Sequence, residues 1–272
     1  MAKLAFMNIG VLREPFGHDQ VRGFQGCIAD VFGVAQGSAG FVALLEHPVD
    51  VPPSFRAPRF TGRVAHALSV WRDLESVFAF SGLHANKRHD WFERGPWPGY
   101  VAWWVEHELE VTWADAHRRF EALYRDGSTP HAFDLEQPFS PEGEPCTVNR
   151  EAVNRIVLEH QTHALVRDYL AAWNETDPGK RAALLEVVWA EDGCYSDPSA
   201  QASTRAELNA VISSFQCANP GAHFALEDGV DHHHAHLRFY WSLRLQGGLE
   251  VSGMDYAELA PDRRLRRLVG FF

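Results

Sequence analysis

The stretch LEVSGMDYAEL, Leu249 to Leu259, alternates in a way that only a strand explains. A strand turns successive side chains to opposite faces. One face therefore carries Leu249, Val251, Gly253, Asp255, Ala257 and Leu259, and the other Glu250, Ser252, Met254, Tyr256 and Glu258. The first is a core face with one carboxylate set into it. A buried, unpaired carboxyl favours its neutral form and its pKa rises. A neutral acid in a dry pocket can donate a hydrogen bond to a developing oxyanion. The stretch thus predicts a sheet packed on one side and a candidate site on that side.

Upstream of it, DHHHAH (Asp231 to His236) runs into a second alternating stretch. His233, Ala235, Leu237, Phe239, Trp241 and Leu243 form the expected core face, so His233 is the histidine expected to reach a pocket. His232, His234 and His236 share the other face with Arg238, Tyr240, Ser242 and Arg244, which reads as solvent-facing, and no metal site is expected there. Further back, EAVNRIVLEHQTHALVRDYLAAWNE has the length and pattern of a long helix. Asp177-Pro178 opens a second helix in GKRAALLEVVWAEDG, and TRAELNAVISSF gives a third. Helices followed by three or four strands can curl into a cone around a deep pocket. Between them lies CYSDPSA, Cys194 to Ala200. Asp-Pro is a turn signal, so Asp197 is either a turn former or a carboxylate held still at the pocket's mouth.

DLEQPFSPEGEPCTVNR, Asp134 to Arg150, lacks periodicity and is rich in Pro and Glu. It divides the chain into residues 1–137, a linker 138–150 and residues 151–272. The first part reads strand, helix, strand, strand, helix, strand: KLAFMNIGVL, HDQVRGFQGCIADVFGVA, GFVALLEH, RVAHALSVW, LESVFAFSGLHANKRHDWF and GYVAWWVEH. A last helix, TWADAHRRFEALYRDG, opens with Thr112 and Asp115 as a capping box and stops at Gly127. This is a ferredoxin-like α+β order. Such a sheet has one face left to cover, which predicts a homodimer built on this domain. Asn8, His66, Trp71, His84 and His89 are its candidate site residues. The competing reading places Trp71 and the neighbouring aromatics in the core or a dimer interface.

The bulk numbers agree with two globular domains. The chain has 272 residues, 46% hydrophobic and 22% charged, with a formal net charge of -11. Without clustered Lys and Arg, nucleic acid is not an expected partner. Cys27, Cys146, Cys194 and Cys217 form no CxxC pair, which speaks against zinc knuckles and redox motifs. MAKLAFMNIGVL reads as a strand rather than a signal peptide, and no apolar run is long enough to span a bilayer. A cytoplasmic protein taking a small apolar molecule is the expectation.

Two resemblances sharpen these expectations. TGRVAHALSVWRDLESVFAFSGLHANKRHDWF, YVAWWV and GSTPHAFDL resemble the domain-of-unknown-function family 3291, which is related to the antibiotic-biosynthesis monooxygenases, dimeric α+β barrels. That implies either an oxygenase-type site, with Asn8, His66 and Trp71 fitting by type, or haem held by His84 or His89. YLAAWNETD, WAEDGCYSDPSA, SGMDYAEL and LRRLVGFF resemble the SnoaL-like and ketosteroid-isomerase-like branch of the nuclear transport factor 2 fold. That implies Asp197 as the base that moves a proton, with Tyr169 and Asp255 hydrogen-bonding the substrate oxygen. Trp173, Trp189, His233, Phe239 and Trp241 would line the substrate's pocket. The implied activity is isomerisation or cyclisation of an apolar carbonyl or polyketide-like compound, with no cofactor required. A protein that only binds an apolar ligand is the competing class.

Overall fold

The apolar run at residues 3–11 forms β1 (Lys3–Val11), the inner strand of the first sheet. In the computed structural model, which describes residues 2–46, 50–84 and 91–272, the chain is mixed α+β and divides into two units, Met1–Val157 and Leu158–Phe272. After β1 come α1 (Arg22–Gln36), β2 (Phe41–Leu44), β3 (Val64–Trp71), α2 (Leu74–His84), β4 (Tyr100–Val105) and α3 (Trp113–Asp126). The four strands pair antiparallel throughout in the order β2-β3-β1-β4. Thr112 caps α3 by accepting from the Asp115 N–H, and Gly127 (φ 77°) ends it.

Both faces of this sheet are covered within the unit. Leu4 and Phe6 pack with Val31 and Ala35 of α1 and with Leu74, Val77 and Phe80 of α2. On the other face, Ala5, Met7, Ile9 and Val11 meet Ala116, Phe120 and Leu123 of α3, together with Phe55 and Phe60. The face expected to await a second copy is therefore filled by α3. Its residues 116, 120 and 123 recur at helical spacing and present one apolar stripe. The stretch read as a linker also packs here. Leu135, Phe139, Cys146 and Val148 lie against the Leu4–Phe6 cluster, and the Trp104 indole donates to the Phe139 carbonyl at 2.7 Å. Turns and extended backbone carry these contacts, so no helix or strand period marks them.

The division falls inside α4 (Arg150–Asn174). Beyond it stand α5 (Pro178–Val188), β5 (Trp189–Ser196), β6 (Gln201–Ala202), α6 (Arg205–Ala218), β7 (His223–His233), β8 (His236–Arg244), β9 (Glu250–Leu259) and β10 (Leu265–Phe271). Asp177 caps α5, taking the Gly179 and Lys180 N–H groups at 2.8 and 2.9 Å, with Pro178 at the first helical position. The second sheet runs β6-β5-β10-β9-β8-β7. Its pairs are antiparallel except β10 with β5, which is parallel. Bulges at Leu226/Val230 and Leu265/Arg267 bend it. Side chains from all three helices and from β5 to β10 share one core on one of its faces.

Two local expectations change. WAEDG does not extend the α5 helix; Trp189 begins β5, whose burial alternates from Asp192 to Tyr195. Its Ala and Glu favour a helix, but the pairing of Trp189 and of Cys194 to Ser196 with β10 overrides propensity. DHHHAH is not one strand. His233 pairs with His236 across a two-residue turn, and His234 takes φ 53°.

Candidate functional site

The turn Asp197–Ala200 joins β5 to β6, and its chemistry fixes Asp197. The Asp197 N–H donates to the Ala200 carbonyl at 3.0 Å. Oδ1 of Asp197 in turn accepts from the Ser199 N–H (2.7 Å), the Ser199 hydroxyl (2.9 Å) and the Ala200 N–H (2.5 Å). This is an Asx turn with proline at the position that favours φ near -65°. Oδ2 accepts from the Tyr195 hydroxyl at 2.6 Å. The turn former and the immobilised carboxylate are thus one and the same arrangement.

Asp255 arrives from β9 on the core-facing side, 6% exposed. It is not unpaired: the Trp241 indole N–H donates to its Oδ1 at 2.8 Å. Two glycines make this possible. Gly253 stands opposite Trp241 in the register, and a Cβ there would come within 2.2 Å of the indole ring. Gly270 stands opposite Asp255 on β10, where a Cβ would lie 3.1 Å from Asp255 Oδ1 and 3.4 Å from the Asp197 Cβ. The two carboxylate residues therefore flank one glycine. Burial, reinforced by the Asp197 charge and opposed by the Trp241 bond, pushes the Asp255 carboxyl up to about 7.

Tyr169, from α4, is 1% exposed. Burial, with Asp255 and Tyr195 adding, raises its hydroxyl well above the usual tyrosine value. Burial and the bond to Asp197 raise Tyr195 in the same direction. Both phenols stay protonated and able to donate. Tyr169, Tyr195, Asp197 and Asp255 line one cavity of about 720 Å³. Trp173, Phe215, Phe224 and Trp241 supply much of its apolar wall. Such a site can accept a proton at Asp197 Oδ2 and donate hydrogen bonds from Tyr169 and Asp255.

Not every predicted residue reaches this cavity. Trp189 and Phe239 are fully buried and pack on the Tyr169 ring, behind the wall. His233 lies exposed at the end of β7, because the turn at His234–Ala235 breaks the parity that would have aimed it inward. Tyr195 escaped the sequence reading although it lies in CYSDPSA. On a strand, residues 195 and 197 share a face, and that signal vanishes when WAEDG is read as helix.

Of the residues proposed for the first unit, Asn8 and His66 line one cavity and Trp71 does not. Asn8 pairs with Ala67 and His66 with Ile9, so Asn8 and His66 point to opposite faces of the sheet. Trp71 is fully buried, its indole donating to Ser69 Oγ at 2.8 Å. His84 ends α2, and His89 lies outside the described residues. Among the described residues, no group of three or more His, Cys, Asp or Glu is placed to hold a metal ion, and no helix is long and apolar enough to cross a membrane.

Gly253→Ala tests the framing of Asp255. Its methyl would drive the Trp241 ring aside, costing about 1–3 kcal/mol as overpacked cores do. A urea unfolding midpoint equal to that of the wild type would show that the glycine is not needed there.

A family model described as a domain of unknown function (DUF3291) matches residues 3–149. No curated protein matches the chain. Among solved structures, a SnoaL-like family protein from Agrobacterium tumefaciens str. C58, provisionally named an isomerase, is 34% identical, covering 41% of this chain and 97% of its own, with a TM-score of 0.39. A protein from Sinorhizobium meliloti, provisionally named a polyketide cyclase, is 14% identical over 39% of this chain and 93% of its own (TM-score 0.34). An NTF2-like protein of unknown function from Mesorhizobium loti is 21% identical over 42% of this chain and 91% of its own (TM-score 0.34).

Proposed function

The chain belongs to the DUF3291 family through residues 3–149, and for the residues that follow we propose an enzyme that moves a proton on an apolar carbonyl compound, by isomerisation or cyclisation. The observation that carries this is Asp255, a buried carboxyl pushed up to about 7 beside Asp197 in an apolar cavity. Two acids whose surroundings hold them in different roles are what proton transfer next to a carbonyl needs. Asp197 Oδ2 takes the proton α to the carbonyl and returns it further along the enol. Tyr169 and neutral Asp255 donate to the oxygen while it carries negative charge. Tyr195 steadies Asp197 between the two transfers. The apolar wall excludes water and selects a nonpolar skeleton. No cofactor enters this sequence. For the first unit, the antiparallel β2-β3-β1-β4 order supports a ferredoxin-like module whose second face α3 closes.

A β,γ-unsaturated cyclic ketone tests this reading, with conjugation followed by ultraviolet absorbance. The protein should accelerate it, and the rate should fall as pH rises through about 7, where Asp255 loses its proton. No acceleration of any of a size series of such ketones, or a rate that rises through that range, would overturn the proposal.

A further inference from the structure

A second cavity, of about 850 Å³, lies in the first unit. Its lining takes Asn8 and Ala67 from one face of the sheet and Ile9 and His66 from the other, and aromatic rings dominate it. Phe24 of α1 stands 5.1 Å from Phe92 and 6.1 Å from Trp91, centroid to centroid. Gly10 lets Phe92 lean over β1: a Cβ at Gly10 would sit 2.5 Å from the Phe92 ring. Two neutral polar groups, Asn8 and Ser81, stand in this wall. The Asn8 carboxamide is half-buried, and the Ser81 hydroxyl is buried with no hydrogen-bond partner among the described residues. Unmet polar groups in an apolar wall cost free energy unless something meets them. The carboxylates at the rim are already matched, Asp50 by Arg56 at 2.5 Å and Glu93 by Arg63 at 2.6 Å.

We propose that this cavity is a second small-molecule site, taking a neutral aromatic compound whose carbonyl or hydroxyl group pairs with Asn8 and Ser81. The volume suits a molecule of drug-like size. The rings supply stacking and apolar contact. A carboxamide, which both donates and accepts, holds an uncharged oxygen function without a counter-ion. His66 also lines the cavity, from the face of the sheet opposite Asn8. The cavity's lining residues all belong to the first unit.

Cys27 lines this cavity and is half-buried, whereas Cys194 and Cys217 are exposed and lie in the other unit. That makes Cys27 a reporter. The full-length protein is treated with N-ethylmaleimide, and the alkylation rate of each cysteine-containing peptide is read by mass spectrometry, with and without 2-acetylnaphthalene. The ketone should slow Cys27 and leave Cys194 and Cys217 unchanged. Asn8→Leu and Ser81→Ala should each raise the half-protecting concentration of the ketone by roughly 5-fold, the worth of one neutral hydrogen bond. Protection by 2-ethylnaphthalene, which lacks the oxygen, should not change in either variant. Failure of the ketone to protect Cys27 up to its solubility limit overturns the proposal. So does an unchanged half-protecting concentration in both variants. Neither result bears on ketone isomerisation, so the two readings fail separately.

Discussion

Replacing Asp197 with asparagine should cut ketone isomerisation by about 10²–10⁴-fold, the usual worth of a positioned general base, and leave the fold standing. The asparagine side-chain oxygen can still accept from the Ser199 and Ala200 N–H groups, which carry the turn. What disappears is the carboxylate's basicity at Oδ2, where Tyr195 now donates. The same substitution removes one of the influences that raise Asp255, so the fall in residual activity should move to lower pH. A variant that melts with the wild type and keeps its rate within a few-fold would reduce Asp197 to a turn former.

The second large effect is on stability. Asp255→Asn should stabilise the protein by about 4 kcal/mol more at pH 8 than at pH 4, from a shift of about 3 units at 1.36 kcal/mol each. The sign follows from proton binding. In the unfolded chain Asp255 releases its proton near 3.8, while in the folded chain it holds it up to about 7. Between these values the folded state binds more protons, so rising pH costs the wild type stability. Above about 7 the loss is complete and levels off; below about 4 both states are protonated and there is none. Asparagine keeps an acceptor for the Trp241 indole and carries no charge, so its stability lacks this dependence. Chemical unfolding of both proteins from pH 4 to 9 reads it directly. A difference that stays constant with pH would mean that the carboxyl is not held neutral.

The parts of this site that could be read from sequence are those that depend on local period. Val251 to Ala257 alternate, and the structure buries Asp255 and Ala257 on the predicted side. The Asp-Pro turn could be read because Asx chemistry needs only three neighbouring residues. Tyr195 could not, because β5 owes much of its conformation to β10, a strand distant in sequence. His233 was misplaced by one turn, since a single parity break reverses every inward and outward assignment before it. Asn8 and His66 were grouped by residue type; they line one cavity but from opposite faces of the sheet, which only the β1–β3 register reveals. The helix α3 was read correctly, but that its apolar stripe would close a sheet face was not, because periodicity tells which side is buried and not against what.

The parallel pairing of β10 with β5 has a consequence for how the second unit comes together. β10 is the last strand in chain order, yet it sits between β5 and β9. Until it is in place, β6 and β5 form one ribbon and β9, β8 and β7 another, with no ladder joining them. Asp197 belongs to the first ribbon and Asp255 to the second, and Gly270, which both flank, is on β10 itself. More than nine-tenths of this unit therefore precedes the strand on which the two acids meet. Closing that gap spans a long stretch of chain, which is slow. Catalytic competence should be the final event in the unit's assembly.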